Sequence, residues 1–418
     1  MASLVRRTLS LAAHLQLNTI RTGGRIQVAF SVQPQMKMPS LWTAITSSWK
    51  SFSTKSLGGT TVSNTLEEPR SLPTSGFKTI EADQLVEEEE LPDCRADRFY
   101  PVQLGEVFQG RYQIVAKLGF DHKHVTLKVY VHTSLVHREL SFFHHIAPRM
   151  ADSSHQGRGN IRRLLDSFEV TGPHGKHIIL VFEAAQMSLR DMKVVFRQDG
   201  YDEDFVRGAI TEPLKALDFL HTHGEVVHTD VHPGNLLLGI YDNSLLQNLE
   251  GKEFTSPVPH KLVSSTRTVY FSRLMRPKEG PMLLSDFGEA RIGSGPHGGD
   301  IMPLEYRAPE TLLYVGWSYP VDIWSVGFTL IAALGPPPPE FLAKNPERKA
   351  DFWDENGKWL GLAPIPDTRT MEALEIRLED NNKSEFLRFL RRAVTWMPEE
   401  RATAIELLQD PWLTGTKA

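Results

Sequence analysis

Between Val226 and Leu238 two apolar runs, Val226-Val227 and Leu236-Leu237-Leu238, enclose the polar turn His228-Thr229-Asp230-Val231-His232-Pro233-Gly234-Asn235. Burying both flanks holds a carboxylate and an amide at the rim of a core, which requires a fold with strands buried on either side of a reactive turn. Two more polar islands follow. Leu283-Leu284-Ser285-Asp286-Phe287-Gly288 ends an apolar run on an Asp, and Tyr306-Arg307-Ala308-Pro309-Glu310 precedes Asp322-Ile323-Trp324-Ser325-Val326-Gly327. Short β-branched and aromatic runs come earlier, at Tyr112–Leu118, Val125–Val131 and His177–Glu183, and read as strands. Helical spacing comes mostly later. It predicts helices over Leu135–Ile146 after a Ser134 cap, Asp204–His223, Asp322–Leu334 and Thr403–Gln409. Pro213 falls inside the second of these and should kink it by removing a backbone donor. Strands first and helices after predict an α+β fold of two lobes, a small antiparallel sheet lobe ahead of a larger helical one.

A chain of 418 residues is too long for one small core and suits one large domain or two. A single cysteine, Cys94, excludes a disulfide framework and a cysteine-built metal site. No apolar run approaches the length of a membrane-spanning helix. The net charge of −5 announces no nucleic-acid-binding surface, but it is unevenly spread. Residues 1–66 contain no Asp or Glu and carry Arg6, Arg7, Arg21, Arg25, Lys37, Lys50 and Lys55. With Leu4, Leu11, Leu15 and Ile20 at roughly helical spacing, this composition reads as a mitochondrial transit peptide or as a disordered basic tail. Residues 67–100, with the acidic run Glu87 to Glu90, read as a solvated linker. A folded domain is expected over 101–413, its sheet lobe over about 101–186 and its helical lobe over about 187–413.

Phosphoryl transfer from ATP requires a carboxylate near the attacking hydroxyl, oxygen ligands for Mg²⁺ and a cation on the phosphates. Asp230, Asn235, Asp286 and Lys128 form such a set. The chain resembles a eukaryotic protein kinase: HTDVHPGN matches the catalytic loop, SDFG the metal-binding motif and RAPE the end of the activation segment. The HTD form, the GPHGKHIILVFE strand and the long insert before SDFG resemble the SR-protein kinases in a fungal-looking variant. The resemblance spans roughly Pro101 to Leu413 and implies a two-lobe protein kinase fold, ATP and Mg²⁺ as cofactors, and protein substrates with Ser beside Arg, such as splicing-type proteins. It implies no direct nucleic-acid partner, and it favours cytoplasm or nucleus where the N-terminal composition favours the mitochondrion.

Carried over by residue, the resemblance makes Asp230 the catalytic carboxylate, with Asn235 and Asp286 holding Mg²⁺. It places Lys128 on the α- and β-phosphates with Glu139, the only acid between Asp121 and Asp152, as its ion-pair partner. Glu310 pairs with Arg401 as a buried structural link, and Asp322 bonds the catalytic-loop backbone. His228 and His232 read as structural, satisfied by backbone, and the histidines from His122 to His145 as packed or solvated rather than metal-binding.

Two departures stand out. The family's G-x-G-x-x-G-x-V loop is cut short: Lys117-Leu118-Gly119-Phe120 starts it, no glycine follows until Gly157, and only nine positions separate Gly119 from Lys128. The return strand of that hairpin is missing from its place in the chain. A second shortening follows Val326-Gly327-Phe328. Loss of the phosphate cover predicts weaker ATP binding and reduced or absent transfer, so a pseudokinase or splice isoform acting as a binding scaffold stands beside the enzyme reading. Thr229 replaces the usual Arg of the catalytic loop, and Ser294 is the only Ser or Thr between Glu289 and Arg307, which predicts an activation segment ordered without phosphorylation.

Overall fold

The computed structural model describes residues 28–34, 69–90, 94–117, 124–134, 137–196, 201–241, 244–273, 276–303, 306–327, 337–356, 358, 360 and 370–416. The helix expected near Leu4 to Ile20, the shortened glycine segment 118–123 and the second shortening at 328–336 lie outside the described residues. Two compact units divide the chain, Met1–His137 with Arg162–Gln198 and Leu238–Pro281, and Arg138–Ile161 with Asp199–Leu237 and Met282–Ala418. The division therefore does not fall at one cut near residue 186. The insert before SDFG joins the sheet unit, and the helix after Lys128 joins the helical one.

The first unit holds a six-stranded sheet made of β1 (Val28–Pro34), β2 (Val107–Phe108), β3 (Tyr112–Lys117), β4 (Val125–Val129), β5 (Leu164–Thr171) and β6 (Lys176–Phe182). Its order is β2-β3-β1-β4-β6-β5, and every neighbouring pair is antiparallel. Strands β3, β4 and β6 are the three read from the sequence. β5 escapes that reading because Asp166, Ser167 and Glu169 interrupt its apolar run; it is an edge strand with alternating exposure. Ile114, Val125, Leu127, Val129, Ile179 and Val181 pack with Val102, Phe108 and Tyr112 into the core of this unit. Each such aliphatic side chain contributes about 1.5–3 kcal/mol on burial.

The segment expected as a solvated acidic linker is docked instead. The Ile80 N–H donates to the His260 carbonyl at 3.0 Å, and the His260 N–H donates to the Lys78 carbonyl at 3.0 Å. Glu87–Glu90 forms a 3₁₀ turn. The Ser272 N–H and hydroxyl donate to the Glu87 carboxylate at 2.9 and 3.0 Å. The Lys261 ammonium, whose side chain is 4% exposed, donates to Glu89 at 2.8 Å. The balancing donors come from the insert hairpin, His260–Leu262 paired with Thr268–Tyr270, far along the chain, so the local acidity of residues 87–90 misleads.

His260 carries a testable consequence. Its ring lies 3.9 Å from Phe77 and 4.7 Å from Tyr270 by centroids, its Nε2 is buried with no hydrogen-bond partner, and burial pushes its pKa down to about 4. Between about pH 6.5 and 4 the unfolded chain binds a proton that the folded chain refuses, so stability falls as pH falls through that window. His228, fully buried and pushed down by desolvation, acts in the same direction. His260→Phe keeps the aromatic packing and is expected to recover about 2–3 kcal/mol near pH 4.5 relative to its effect at pH 8. Denaturant melts at the two pH values check this; parallel stability curves for the two proteins refute it.

In the second unit the helix after Lys128 runs over Arg138–Asp152, starting later than expected, and buries Phe142, Phe143 and Ile146. The Asp202 side chain accepts the Phe205 N–H and starts Glu203–Phe219, which runs through the buried Pro213 and ends in a π-turn, Leu220–Gly224. The 3₁₀ turn Gln156–Asn160 fits against this helix because Gly157 has no side chain: a Cβ there would lie 1.7 Å from the Lys215 carbonyl oxygen. Pro320–Val326 is helical, and Thr403 with Glu406 forms a capping box on Ala404–Leu408.

Candidate active site

The turn that follows Val227 is held from beneath by one buried carboxylate. Asp322, fully buried at the start of Pro320–Val326, accepts the His228 N–H on Oδ2 at 2.8 Å and the Thr229 N–H on Oδ1 at 2.7 Å. The Nε2 of His221 lies 2.9 Å from the same Oδ2. This grip is needed because Thr229, a β-branched residue, has φ of 69°, a conformation that costs on the order of 1–3 kcal/mol and persists only where its surroundings enforce it. The Thr229 hydroxyl adds a bond to the Glu289 carbonyl at 2.8 Å.

Above this support Asp230 and Asn235 face one another. The Asn235 Nδ2 donates to the Asp230 carbonyl at 2.8 Å and to its Oδ2 at 3.0 Å. With the amide nitrogen turned to Asp230, the amide oxygen is turned away from it. Asn235 in turn accepts, on its carbonyl, the N–H and the hydroxyl of Ser285, both at 2.9 Å. That pair of bonds sets the SDFG segment beside the turn. Asp286 has φ of 59° and accepts the Gly288 N–H at 3.3 Å. Phe287 is fully buried, stacked on Phe142 at 3.9 Å and 4°, with Phe143 and His228 at 5.6 and 4.8 Å. Its N–H donates to the Glu139 carboxylate at 3.3 Å.

Both histidines of the turn are fixed as tautomers by backbone. The His228 Nδ1 accepts the Asp230 N–H at 3.2 Å, so its proton sits on Nε2 and is donated to the Ser285 carbonyl at 3.1 Å. Burial pushes its pKa down and keeps it neutral. The His232 Nδ1 accepts the Gly234 N–H at 3.0 Å, which leaves Nε2–H facing Asp230 Oδ1 at 3.6 Å, while the ring stacks on Tyr306 at 5.5 Å. The backbone bonds of both rings agree with reading them as structural rather than as general bases, and His232 in addition faces Asp230. His232→Phe retains the stacking and removes the N–H that faces the carboxylate. It is expected to lower kcat with little change in the KM for nucleotide, measured by steady-state kinetics; an unchanged kcat refutes a role in orienting Asp230.

Lys128 stands in the first unit, on β4, opposite Leu180 of β6 and Ala29 of β1. It is 5% exposed, and its ammonium lies 5.5 Å from the Tyr130 ring centroid. Lys128 and Glu139 belong to different units, and each is placed only within its own. Glu310 and Arg401 do meet: the guanidinium donates to both carboxylate oxygens at 2.6 and 2.7 Å, with both residues buried. Asp300, an acid of segment 286–303, is bonded at 3.3 Å to Arg307.

The oxygen donors Asn235 and Asp286 fit Mg²⁺, a hard cation that takes one or two protein oxygens and completes its shell with water and phosphate. Among the described residues no three His, Cys, Asp or Glu side chains converge as a metal site, and no helix is long and apolar enough to cross a membrane.

Comparison with known proteins agrees with this geometry. The protein kinase domain family matches residues 122–413. A serine/threonine protein kinase of Aspergillus fumigatus is 36% identical over 391 residues, covering 82% of this chain and 95% of the relative. The serine/threonine-protein kinase SRPK of Physarum polycephalum is 24% identical over 390 residues, covering 78% of this chain and 91% of that protein. SRSF protein kinase 3 of Homo sapiens is 29% identical over 203 residues, 43% of this chain and 35% of that protein. A carboxylate fixed by the amide five residues on, a turn pinned by a buried Asp and a match across most of the chain lead to one assignment: this chain belongs to the protein kinase family, as an SR-protein-kinase-like serine/threonine kinase.

Proposed function

We propose that this chain transfers the γ-phosphate of ATP to Ser in Arg-rich protein segments. The observation that carries the reading is the fixed pose of Asp230, bonded at its carboxylate and carbonyl by Asn235 on a turn pinned by Asp322. In this reading Asp230 accepts or orients the proton of the substrate hydroxyl. Asn235 and Asp286 would hold Mg²⁺, which when bound would neutralise charge on the phosphates. Lys128 contacts the α- and β-phosphates.

Preference for Arg-rich substrates is supported by the names of two relatives, SRPK and SRSF protein kinase 3, and by the net charge of −12 carried by residues 67–418. Asp300 offers it little, since its carboxylate is bonded to Arg307. The test is transfer from Mg-ATP to an Arg-Ser repeat peptide against the same peptide with Lys for Arg. Equal rates refute the preference. No transfer together with no nucleotide-induced thermal shift favours instead the scaffold reading, which the shortened glycine segment motivates.

Activity is further expected to be independent of phosphorylation at Ser294. Segment 286–303 is tied down without phosphate: the His297 N–H and carbonyl bond Trp317 at 2.8 and 3.0 Å, and the Arg138 guanidinium donates to Glu289 at 2.9 Å. Ser294→Ala is expected to leave kcat within about twofold; a loss of tenfold or more, about 1.4 kcal/mol of barrier, refutes this.

A further inference from the structure

The six-stranded sheet contains a strand drawn from the acid-free N-terminal segment. β1 lies between β3 and β4 and is hydrogen-bonded to both. We infer that Val28–Pro34 is an integral strand of the folded protein, standing where the glycine-rich hairpin's own return strand is missing, and that it positions the Lys128 strand. The inference concerns assembly of the sheet and holds whether or not the chain transfers phosphate.

Connectivity is the first support. β3 and β4 are each antiparallel to β1, so they run the same way as one another. Only seven residues link Lys117 to Val125. Directly adjacent parallel strands need a crossover of about a dozen residues or more, so these two cannot be hydrogen-bonded neighbours in the directions they take. The link does reach across an intervening strand: eight peptide steps span up to about 27 Å, against about 10 Å for two strand spacings. The sheet therefore has a slot that only an oppositely directed strand can fill.

Register is the second. The sequence VAFSVQP alternates, with Val28, Phe30 and Val32 in one phase and Ala29, Ser31 and Gln33 in the other. In the ladder to β4, Val28, Phe30 and Val32 stand opposite Val129, Leu127 and Val125, all members of the core. Ala29 and Ser31 stand opposite Lys128 and Thr126. On the other side Val32 is opposite Ile114 and Gln33 opposite Gln113, across one bulge. A slip by one residue would set the small and polar phase against the core. In register, the apolar phase stands opposite core residues all along β4 and, at Val32, on β3, where Phe30 stands opposite Lys117.

Removing β1 would leave facing edges on β3 and β4 with unpaired backbone groups, among them those of the fully buried Leu127. The same residues thus cannot be an excised leader in a molecule that keeps this sheet, which sets this strand against the transit-peptide reading wherever cleavage falls beyond Pro34.

The test uses the full chain in a Cys94→Ser background. Opposed residues of an antiparallel pair have Cα atoms about 4.5–5.5 Å apart, within disulfide range. Ser31→Cys with Thr126→Cys is expected to cross-link under mild oxidation, and Ser31→Cys with Leu127→Cys, one residue out of register, is not. Hydrogen exchange of the unsubstituted chain should show amides 29–33 protected, and Phe30→Asp with Val32→Asp should abolish that protection and lower the thermal midpoint, whereas Ser31→Thr should do neither. Exchange of amides 29–33 at the rate of an unstructured peptide overturns the inference, and equal cross-linking of both cysteine pairs overturns the register.

Discussion

Asp230→Asn is expected to lower phosphoryl transfer by about 10²- to 10⁴-fold, the usual worth of a positioned proton acceptor. The substitution preserves size and leaves the supports of the turn in place. Asp322 still receives the His228 and Thr229 N–H groups, and the Asp230 carbonyl still receives Asn235. What disappears is the negative charge that Asn235 Nδ2 and His232 Nε2 both face. Thermal midpoint and nucleotide affinity should therefore change little while kcat collapses. Single-turnover transfer with saturating Mg-ATP measures this without ambiguity from product release. Retention of more than a tenth of the parental rate would place the proton acceptor elsewhere and remove Asp230 from the chemistry.

The second large effect is on stability. Arg401→Met should destabilise the protein by about 3–5 kcal/mol, because it strands a buried carboxylate. Glu310 is 1% exposed and takes both of its charge-assisted bonds from Arg401. The same guanidinium also donates to the carbonyls of Thr395 and Pro320, each at 3.1 Å, and lies 4.9 Å over the Trp324 ring. Domains are stable by only about 5–15 kcal/mol, so the loss is a large fraction of the total. Adding Glu310→Leu to Arg401→Met removes the stranded charge and should recover much of the deficit, though not the two carbonyl bonds. Chemical denaturation of the single and double variants decides it, and a single-variant loss below about 1 kcal/mol would mean that water reaches the pair.

Much of the helical unit's site was legible because its motifs are local. Asp230 and Asn235 are five residues apart in one turn, and Ser285 to Gly288 are contiguous, so spacing alone brought the chemistry within reach of a reader. Glu310, Arg401 and Asp322 were legible only through the resemblance, since nothing in their own neighbourhoods says that residues 91 apart will meet. The approach of His232 to Asp230 was illegible for a different reason. Which ring nitrogen faces the carboxylate is set by the Gly234 N–H, a matter of backbone direction that no residue pattern records.

The sheet unit was harder. Three strands announced themselves by β-branched and aromatic runs, but β5 was hidden by its edge polarity, and β1 by lying in a segment whose composition suggested a leader. The acidic run at 87–90 looked solvated because the donors that bond it, Lys261 and Ser272, come 172 and 185 residues later. By itself the sequence determined the α+β class, the kinase motifs and the shortened glycine segment, all of which follow from side-chain period and residue order. Only the tertiary structure decided what fills the gap in the sheet, what balances the buried and half-buried charges, and which ring nitrogen of His232 faces the carboxylate, because those depend on hydrogen-bond partners brought together by packing rather than by residue pattern along the chain.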